Sequence, residues 1–282
     1  MLRLKSVDFL ILGAGWTSQF LIPLLKEESI SSAATTTTGH DETIPFKFDP
    51  DSDDTTPYKH LPSAKTVLVT FPLKGTGQSQ LITELYRSVH GAENFWIQLG
   101  STGIFTAEHW NDCTSPYDKE NARAIAEDEL SGLGGCVLNL AGLYGGQRDP
   151  KNWVIRVAKT KEQVKTKLAL HLVHGWDVAR AIVGVYRRRG EMGGKRWLVT
   201  DLRVYDWWDL IQDWGAEVQE RVSKKDGEEA AKALEYTKWV GELMLENGVR
   251  SLPRSAEGLG RVLDSRAFWE EIGVWPGQGR VK

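Results

Sequence analysis

Two glycines stand in the sequence where a strand would meet a helix. Gly13 and Gly15 follow an apolar run of strand length, residues 7–12, and precede a helix-like stretch, residues 19–26. In such a turn the first glycine allows a tight bend, and the second, which has no Cβ, lets the backbone approach a phosphate at the helix N-terminus. Ser18 takes the third glycine position of the pattern G-x-G-x-x-G, which mainly serves close packing. The turn predicts a dinucleotide-binding site; the alternative is an ordinary strand–turn–helix bend. The predicted binding residues are Gly13, Gly15, Trp16, Thr17 and Ser18.

The residues after the second predicted strand bear on which dinucleotide binds. This strand, around residues 33–38, ends without an acidic side chain, although Asp41 and Glu42 follow. An acidic residue there usually holds the ribose hydroxyls of NAD, whereas NADP sites are basic or neutral. His40 can meet a 2′-phosphate, which favours NADP over NAD; a solvated loop histidine is the alternative. The predicted cofactor-binding residues therefore also include Thr38, His40 and Thr70, the last at the end of strand 65–71.

Other polar residues also have the types and positions that chemistry requires. Arg148 lies on a loop after strand 136–140, at the edge where α/β sheets bind ligands. Its guanidinium can hold an anionic group with two parallel hydrogen bonds, so we predict that it binds substrate. A loop salt bridge is the alternative. His174 and Asp177 have the types of a catalytic pair, but we expect them to organise a turn and cap the helix 177–187.

Strand and helix patterns alternate along the chain. Strands are predicted at 65–71, 95–100, 136–140 and 196–200 after the first two, with a short one at 46–48. Helices are predicted at 78–90, 122–130 and 177–187, and the chain is mostly helical from residue 205. This alternation predicts an α/β fold with a doubly wound parallel sheet. Six of the twelve tryptophans fall late, which suggests separate aromatic packing in the C-terminal part: Trp207, Trp208, Trp214, Trp239, Trp269 and Trp275.

Composition excludes several classes of protein. The 282 residues suit one large α/β domain, or a domain with a smaller companion. A net charge of −3 gives no reason to expect nucleic acid or an anionic membrane as partner. Cys113 and Cys136 cannot form a disulfide framework, so a reducing, cytoplasmic location is expected. No apolar run approaches the roughly 20 residues of a membrane span, and the N-terminus leads straight into the first strand without room for a signal peptide.

Five segments together resemble one superfamily. They are residues 13–17 (GAGWT), 101–105 (STGIF), 140–145 (LAGLYG), 172–181 (LVHGWDVARA) and 262–269 (VLDSRAFW). Over nearly its whole length the chain resembles the extended short-chain dehydrogenase/reductases, which include the NAD(P)-dependent epimerases and dehydratases, and looks most like their atypical branch. The resemblance implies a Rossmann domain, residues 1–201, and a small, mostly helical substrate lobe, residues 202–282. Residues 147–167 are expected to contribute to the small lobe.

The resemblance also implies a catalytic group, which this sequence keeps only in part. The superfamily uses a Ser or Thr that hydrogen-bonds the reacting oxygen, a Tyr acid/base, and a Lys four residues after that Tyr. Ser101 and Thr102 fit the hydroxyl position. If Tyr117 is the acid/base, Asn121 stands where the Lys should be.

A second alignment shifts the catalytic positions by two residues. If Glu127 aligns with the glutamate of the superfamily's helix, Arg123 takes the Lys position and Lys119 the Tyr position. In both alignments the Tyr–Lys pair is broken. Arg123 still places positive charge near a ribose, with a geometry unlike that of lysine. Tyr117 is then either a catalyst or an ordinary residue between loop and helix, and we expect the latter.

Two functions follow, and they belong to different classes. The first is an NAD(P)-dependent oxidoreductase or epimerase on a small carbonyl or sugar-like substrate, which Ser101 or Thr102 would polarise. The second is a non-catalytic protein that binds or senses the dinucleotide. The broken Tyr–Lys pair favours the second, whereas the hydroxyl position and the C-terminal lobe favour the first. A methyltransferase fits the later segments poorly. The expected partners are thus a dinucleotide and a small molecule.

Overall fold

The central feature of the fold is a parallel sheet with helices on both faces. The structure is a computed structural model and describes residues 6–281, apart from the side chain of Lys232. The expectation that the chain opens directly on its first strand concerns residues 1–5, outside the described residues. None of the described helices is long and apolar enough to cross a membrane.

The strands follow the predicted order, with several short ones added. In chain order they are β1 (Val7–Leu12), β2 (Ser32–Thr36), β3 (Ile44–Pro45), β4 (Ala64–Val69), β5 (Phe95–Ser101), β6 (His109–Asn111), β7 (Cys136–Leu140), β8 (Gly142–Tyr144), β9 (Ala169–Leu170), β10 (Leu172–His174), β11 (Arg196–Val199), β12 (Tyr205–Asp206) and β13 (Arg261–Leu263).

The helices alternate with these strands up to β11 and dominate after it. They are α1 (Ser18–Glu27), α2 (Gln78–His90), α3 (Ala122–Gly132), α4 (Lys151–Val157), α5 (Lys161–Lys165), α6 (Gly175–Arg187), α7 (Arg189–Met192), α8 (Trp207–Asp226), α9 (Glu228–Lys232), α10 (Tyr236–Glu246) and α11 (Arg266–Ile272), with 3-10 turns at Thr56–His60, Thr102–Ile104 and Ala256–Gly258.

The central sheet confirms the predicted doubly wound topology. Its strand order is β11-β7-β5-β4-β1-β2-β3, and every neighbouring pair is parallel. The chain adds β2 and β3 on one side of β1, then crosses to β4 and continues in the opposite direction. Ligands of such sheets bind at this point of reversal, outside the carboxyl ends of the strands.

Both faces of the sheet are buried, as the continuous apolar strands require. Side chains of β1 alternate between the faces: Phe9 and Ile11 pack with helices α1 and α6, whereas Leu10 and Leu12 pack with α2 and α3. These four side chains have no exposed surface. They fix β1, and with it the turn that follows, in the centre of the molecule.

A third apolar cluster joins the later helices. It contains Trp208 and Trp214 of α8, Tyr236 of α10 and Val154 of α4. The predicted aromatic packing of the C-terminal part is therefore present for most of the late tryptophans. Two of them differ: Trp269 lies in the central core, where α11 packs beside α6, and Trp275 is exposed. At α11 the chain thus returns to the central core, well beyond the expected domain boundary at residue 202.

The short strand expected at residues 46–48 is wrong in position. The pairing lies two residues earlier, where Ile44 and Pro45 run beside Thr35 and Thr36 of β2, and Phe46 donates a last hydrogen bond to the Thr36 carbonyl at 2.8 Å. The side chains of residues 46–48 instead continue past the sheet edge. They lie along a cavity rather than in a ladder.

Candidate functional site

A cavity of about 930 Å³ opens at the carboxyl ends of the central strands. Its walls come from the turn after β1, from the segments after β2 and β3, and from the ends of β4, β5 and β7. The predicted site residues that line it are Gly13, Gly15, Trp16, Thr17, His40, Thr70, Ser101, Arg123 and Arg148. The fold therefore brings together most of the residues that the sequence indicated, from segments as far apart as 13 and 148.

The glycine turn is held tightly where Gly13 lies. Gly13 has a φ of +92°, and a Cβ there would come within 2.7 Å of Thr70 Oγ1. The Thr70 hydroxyl donates to the Gly13 carbonyl, and the Gly13 amide donates to Thr35 Oγ1 at 3.0 Å. Only glycine fits this position without strain.

Gly15 differs from Gly13 because its surroundings are open. A Cβ on Gly15 would meet no atom within 4 Å, and the residue lines the cavity. Ser18 is the first residue of α1. It is buried, its Oγ has no hydrogen-bond partner among the described residues, and it does not line the cavity. Gly15 thus leaves room for a ligand beside the backbone, whereas Ser18 serves packing.

The wall beyond β2 is polar and basic. Thr36, Thr37, His40 and Lys47 line it, while Thr38 stands behind and contacts His40 Nδ1 through its hydroxyl at 2.9 Å. Across the whole cavity the described lining residues include two lysines and two arginines but no aspartate or glutamate. No carboxylate of residues 6–281 forms an ion pair with these four cations. The cavity therefore has the electrostatics of an anion-binding site.

Ser101 and Thr102 follow one another, but their hydroxyls have different surroundings. Ser101 lines the cavity, and its Oγ accepts a hydrogen bond from the Gly103 amide at 3.1 Å. The Ser101 hydroxyl proton is left to donate elsewhere. Thr102 is buried, and its hydroxyl donates to the Leu140 carbonyl at 3.3 Å. Ser101 thus lines the cavity with its hydroxyl proton unused by the described residues, whereas the Thr102 hydroxyl is committed to the backbone at the end of β7.

Tyr117 stands away from the cavity lining. Its hydroxyl donates to Asp128 Oδ1 at 2.6 Å, the Arg196 guanidinium lies 4.6 Å from its ring centroid, and its ring meets Phe105 edge-on. Burial, and then the hydrogen bond to Asp128, raise the pKa of Tyr117. Lys119 is exposed and also lies outside the lining. The phenol is therefore occupied by a structural contact.

The partners of Tyr117 belong to a buried polar network between α3, β7 and β11. Arg196 donates to Glu127, to Asp128 Oδ1 at 2.8 Å and to Asn139 Oδ1 at 2.9 Å. Asn139 in turn donates to Glu127 Oε2 at 2.8 Å and to the Ser101 carbonyl at 3.1 Å. Glu127 is only 1% exposed, and Arg196 and Asn139 are its polar partners in the interior. The network fixes the backbone that carries Ser101.

Arg148 has a defined place on the opposite wall. Its guanidinium carbon lies 4.4 Å from the centroid of the Trp16 ring, and the Trp16 Nε1–H donates to the Gly145 carbonyl at 3.1 Å. The alternative of a loop salt bridge is not seen among the described residues, since Asp149 pairs with Arg221 instead. Arg148 thus joins the glycine turn to the loop after β8.

The residues expected to cap a helix do act structurally. His174 is the N-cap of α6, where its Nδ1 accepts from the Trp176 amide at 3.1 Å. The buried Asp177 carboxylate accepts from the amides of Gly277 and Gln278. Neither side chain lines the cavity.

Sequence reasoning missed several cavity residues. Lys47 and Phe48 follow β3, and Phe71 and Lys74 follow β4, all of them in the lining. Phe48 and Phe71 are near parallel, with ring centroids 6.2 Å apart and an interplanar angle of 20°. The one available signal was position, since each follows a strand of the parallel sheet and carboxyl ends of such strands share an edge.

Solved structures share this fold. The chain aligns with an NAD-dependent epimerase/dehydratase from Methylobacillus flagellatus at 14% identity and a TM-score of 0.59, covering 94% of this chain and 91% of that one. MoeE5 in complex with UDP-glucose and NAD aligns at 13% and 0.60, covering 97% and 94%. Yeast methylglyoxal/isovaleraldehyde reductase Gre2 with NADPH aligns at 15% and 0.57, covering 96% and 94%.

These likenesses define the architecture of the chain. No protein-family model matches the sequence, and no curated protein sequence matches it either. The chain has the α/β Rossmann fold of these epimerase/dehydratase and reductase structures, as its motifs predicted. Such a fold hosts many activities, so any activity of this chain depends on the residues of its cavity.

Proposed function

We propose that this protein binds NADP(H) in the cavity at the carboxyl edge of the sheet. The observation that carries the proposal is a described lining with four cations outside any ion pair and no carboxylate, around an open glycine turn. The diphosphate would lie on the backbone of residues 13–17, at the start of α1. Gre2 with NADPH and MoeE5 with NAD share the fold, which is compatible with either dinucleotide.

The preference for NADP over NAD rests on the wall beyond β2. His40 and Lys47 would face the 2′-phosphate, and Thr36 and Thr37 line the wall where the usual acidic residue would stand. Lys47, which forms no ion pair with a described residue, favours a dianionic phosphate over a bare ribose hydroxyl, whereas His40 Nε2 lies 3.8 Å from Asp41 Oδ2. Lys47 thereby joins His40 in the proposed cofactor site.

We further propose that the usual acid/base chemistry of the fold has been lost. The described lining includes no tyrosine, and the Tyr117 hydroxyl is committed to Asp128. Arg123 lines the cavity, where the lysine of the Tyr–Lys pair would be expected, and would interact with a ribose or phosphate as a fixed cation. The protein would therefore bind dinucleotide and reduce generic carbonyl compounds weakly or not at all.

Ser101 favours a second candidate function, an oxidoreductase or epimerase. Bound NADPH would supply a hydride to the carbonyl carbon of a small substrate. Ser101 would donate its free hydroxyl proton as a hydrogen bond to the carbonyl oxygen, and a water molecule would deliver the proton that completes the alcohol. The Asn139 contact to the Ser101 carbonyl would hold this hydroxyl in place.

We propose that the chain divides into two lobes, and the apolar clusters support this division. Residues 1–201 would form the dinucleotide domain, and residues 202–282 with 147–167 the small lobe. The third apolar cluster supports the small lobe, because α4, α5, α8 and α10 share it. Helix α11 is the exception within residues 202–282, because its Phe268 and Trp269 lie in the central core with the dinucleotide domain.

Calorimetric titration with NADPH and NADH tests the proposed function. We expect NADPH to bind more tightly, and Lys47→Gln to weaken NADPH roughly tenfold while NADH is unaffected, as for loss of one hydrogen bond to a charged group. Lys59→Gln is the matched control, an exposed lysine outside the cavity lining. Binding of NADH at least as tight as that of NADPH would refute the cofactor assignment.

A further inference from the structure

The Arg148 guanidinium has a defined contact but no carboxylate partner among the described residues. Its side chain makes no hydrogen bond or ion pair with any described residue, and its contact is the face of the Trp16 ring at 4.4 Å. The nearest carboxylate in sequence, Asp149, is committed elsewhere: it accepts from the Lys151 amide at 3.0 Å and pairs with Arg221 at 3.0 Å. A guanidinium left unpaired in this way is available to an external anion.

The residues around Arg148 are linked to one another by several contacts. Trp16 is fixed by its hydrogen bond to the Gly145 carbonyl and by edge contact with Phe20, whose ring centroid is 5.0 Å away. Gly145 and Arg148 exchange backbone hydrogen bonds of 2.9 and 3.0 Å and so close a tight hairpin. A Cβ on Gly145 would collide with the His174 ring, so the hairpin packs directly against that side chain. The hairpin therefore fixes the backbone of Arg148, and the exposed side chain has the Trp16 ring as its one described contact.

The contact with Trp16 leaves the N–H donors of the Arg148 guanidinium free. The Arg148 guanidinium carbon lies over the Trp16 ring, and none of the side-chain N–H donors, which point outward in the guanidinium plane, is used by a described residue. A carboxylate or phosphate can bind in that plane with two parallel hydrogen bonds while the stacking persists. The arrangement suits a planar or tetrahedral oxyanion rather than a neutral group.

The strand order separates Arg148 from the proposed 2′-phosphate site, whereas the proposed diphosphate site on residues 13–17 adjoins Arg148 through Trp16. His40 and Lys47 follow β2 and β3 on one side of the glycine turn, whereas Arg148 follows β7 and β8 on the other. Ser101 ends β5, directly beside Leu140 of β7. The Arg148 wall and the free Ser101 hydroxyl are thus on the same side of the cavity.

We propose that Arg148 binds the carboxylate or phosphate of a second, small ligand that lies beside Ser101 while the dinucleotide occupies the rest of the cavity. This rests on the proposed function. The ligand is an anionic carbonyl compound or its alcohol: Arg148 holds the oxyanion, and Ser101 hydrogen-bonds the neutral oxygen. Arg148 then determines specificity for acidic over neutral small molecules.

Titration of oxalate and of inorganic phosphate into the protein saturated with NADP⁺ tests this site. We expect saturable binding of at least one probe, weakened roughly tenfold or more in Arg148→Gln. Arg148→Lys should fall between the two, because it keeps the charge but loses the planar pair of donors. Arg156→Gln is the matched control, since Arg156 is exposed and lies outside the cavity lining.

The outcomes separate this inference from the proposed function. Absence of NADP(H) binding to the unaltered protein would defeat the proposed function, and the same probes titrated without dinucleotide would still measure Arg148. If NADP⁺ binds but neither probe does, or if Arg148→Gln binds the probe unchanged, the second-ligand site is wrong. If Arg148→Gln loses NADP⁺ affinity instead, the arginine holds the diphosphate of the cofactor, which also overturns the inference.

Discussion

At the scale of single residues, chemistry depends on which polar groups remain unsatisfied. Ser101, Arg123 and Arg148 line the cavity, and no described residue uses their side-chain hydrogen-bond donors. Tyr117 is the contrary case, because its hydroxyl is bonded and its pKa is raised by burial and by Asp128. A general acid/base works best with a pKa near the working pH, so a raised pKa moves Tyr117 away from that role.

The first prediction concerns Tyr117→Phe. The variant should keep dinucleotide affinity and any turnover, and lose about 1 kcal/mol of unfolding free energy with its hydrogen bond to Asp128. Urea unfolding and a carbonyl-reduction assay measure the two effects. Turnover that falls by about 10²–10⁴-fold with unchanged cofactor affinity would identify Tyr117 as the acid/base after all.

At the scale of elements, the end of β11 is tied to the helical lobe through a buried carboxyl group. Asp201 follows β11 and accepts a hydrogen bond of 2.5 Å from the hydroxyl of Tyr205 in β12, and the Val281 amide donates to that same hydroxyl. Burial raises the pKa of Asp201 from 3.8 to about 6. The folded protein therefore holds this proton to a higher pH than the unfolded chain does.

The second prediction is a pH dependence that Asp201→Asn removes. Between pH 4 and 6 the unfolded chain ionises first, so this residue's contribution to stability falls as the pH rises and is lowest above 6. The unfolding free energy of Asp201→Asn relative to the unaltered protein should then rise across this range by up to about 3 kcal/mol and level off above it.

Comparing the Asp201→Asn variant with the unaltered protein isolates the contribution of Asp201 to the pH dependence of stability. Burial lowers the pKa of His171 to about 4, which gives the opposite trend, but His171 is present in both proteins and cancels in the difference. Urea unfolding at pH 4, 5, 6 and 7 provides the measurement. A difference that is flat, or that shrinks as the pH rises, would contradict the account.

At the scale of the whole molecule, the sequence predicted elements better than it predicted neighbours. The helix at Gln78–His90 and the strand at Cys136–Leu140 have the bounds that their local patterns indicated, because periodicity reports burial directly. The glycine turn was equally predictable from the sequence, since Gly13 and Gly15 act through local backbone geometry. These features gave the sheet and one wall of the cavity.

Contacts between residues far apart in the chain could not be predicted from local sequence patterns. Arg148 meets Trp16 from a remote part of the chain, and Lys47 reaches the cavity only because β3 pairs two residues earlier than expected. The hydroxyls of Ser101 and Thr102 looked equivalent in sequence, yet their partners distinguish them. The late tryptophans likewise looked alike, and only the packing of α11 shows that one of them belongs to the central core.

The most direct test of the account is NADPH titration of Gly15→Val by calorimetry. A valine side chain at Gly15 would occupy open cavity space where the diphosphate must lie, and its Cβ meets no protein atom that would disturb folding. Gly190→Val is the matched control, an exposed glycine with open surroundings outside the cavity lining. We predict that Gly15→Val melts like the unaltered protein and shows no measurable NADPH binding, while the control binds normally. Unchanged NADPH affinity in a folded Gly15→Val protein would contradict the central claim.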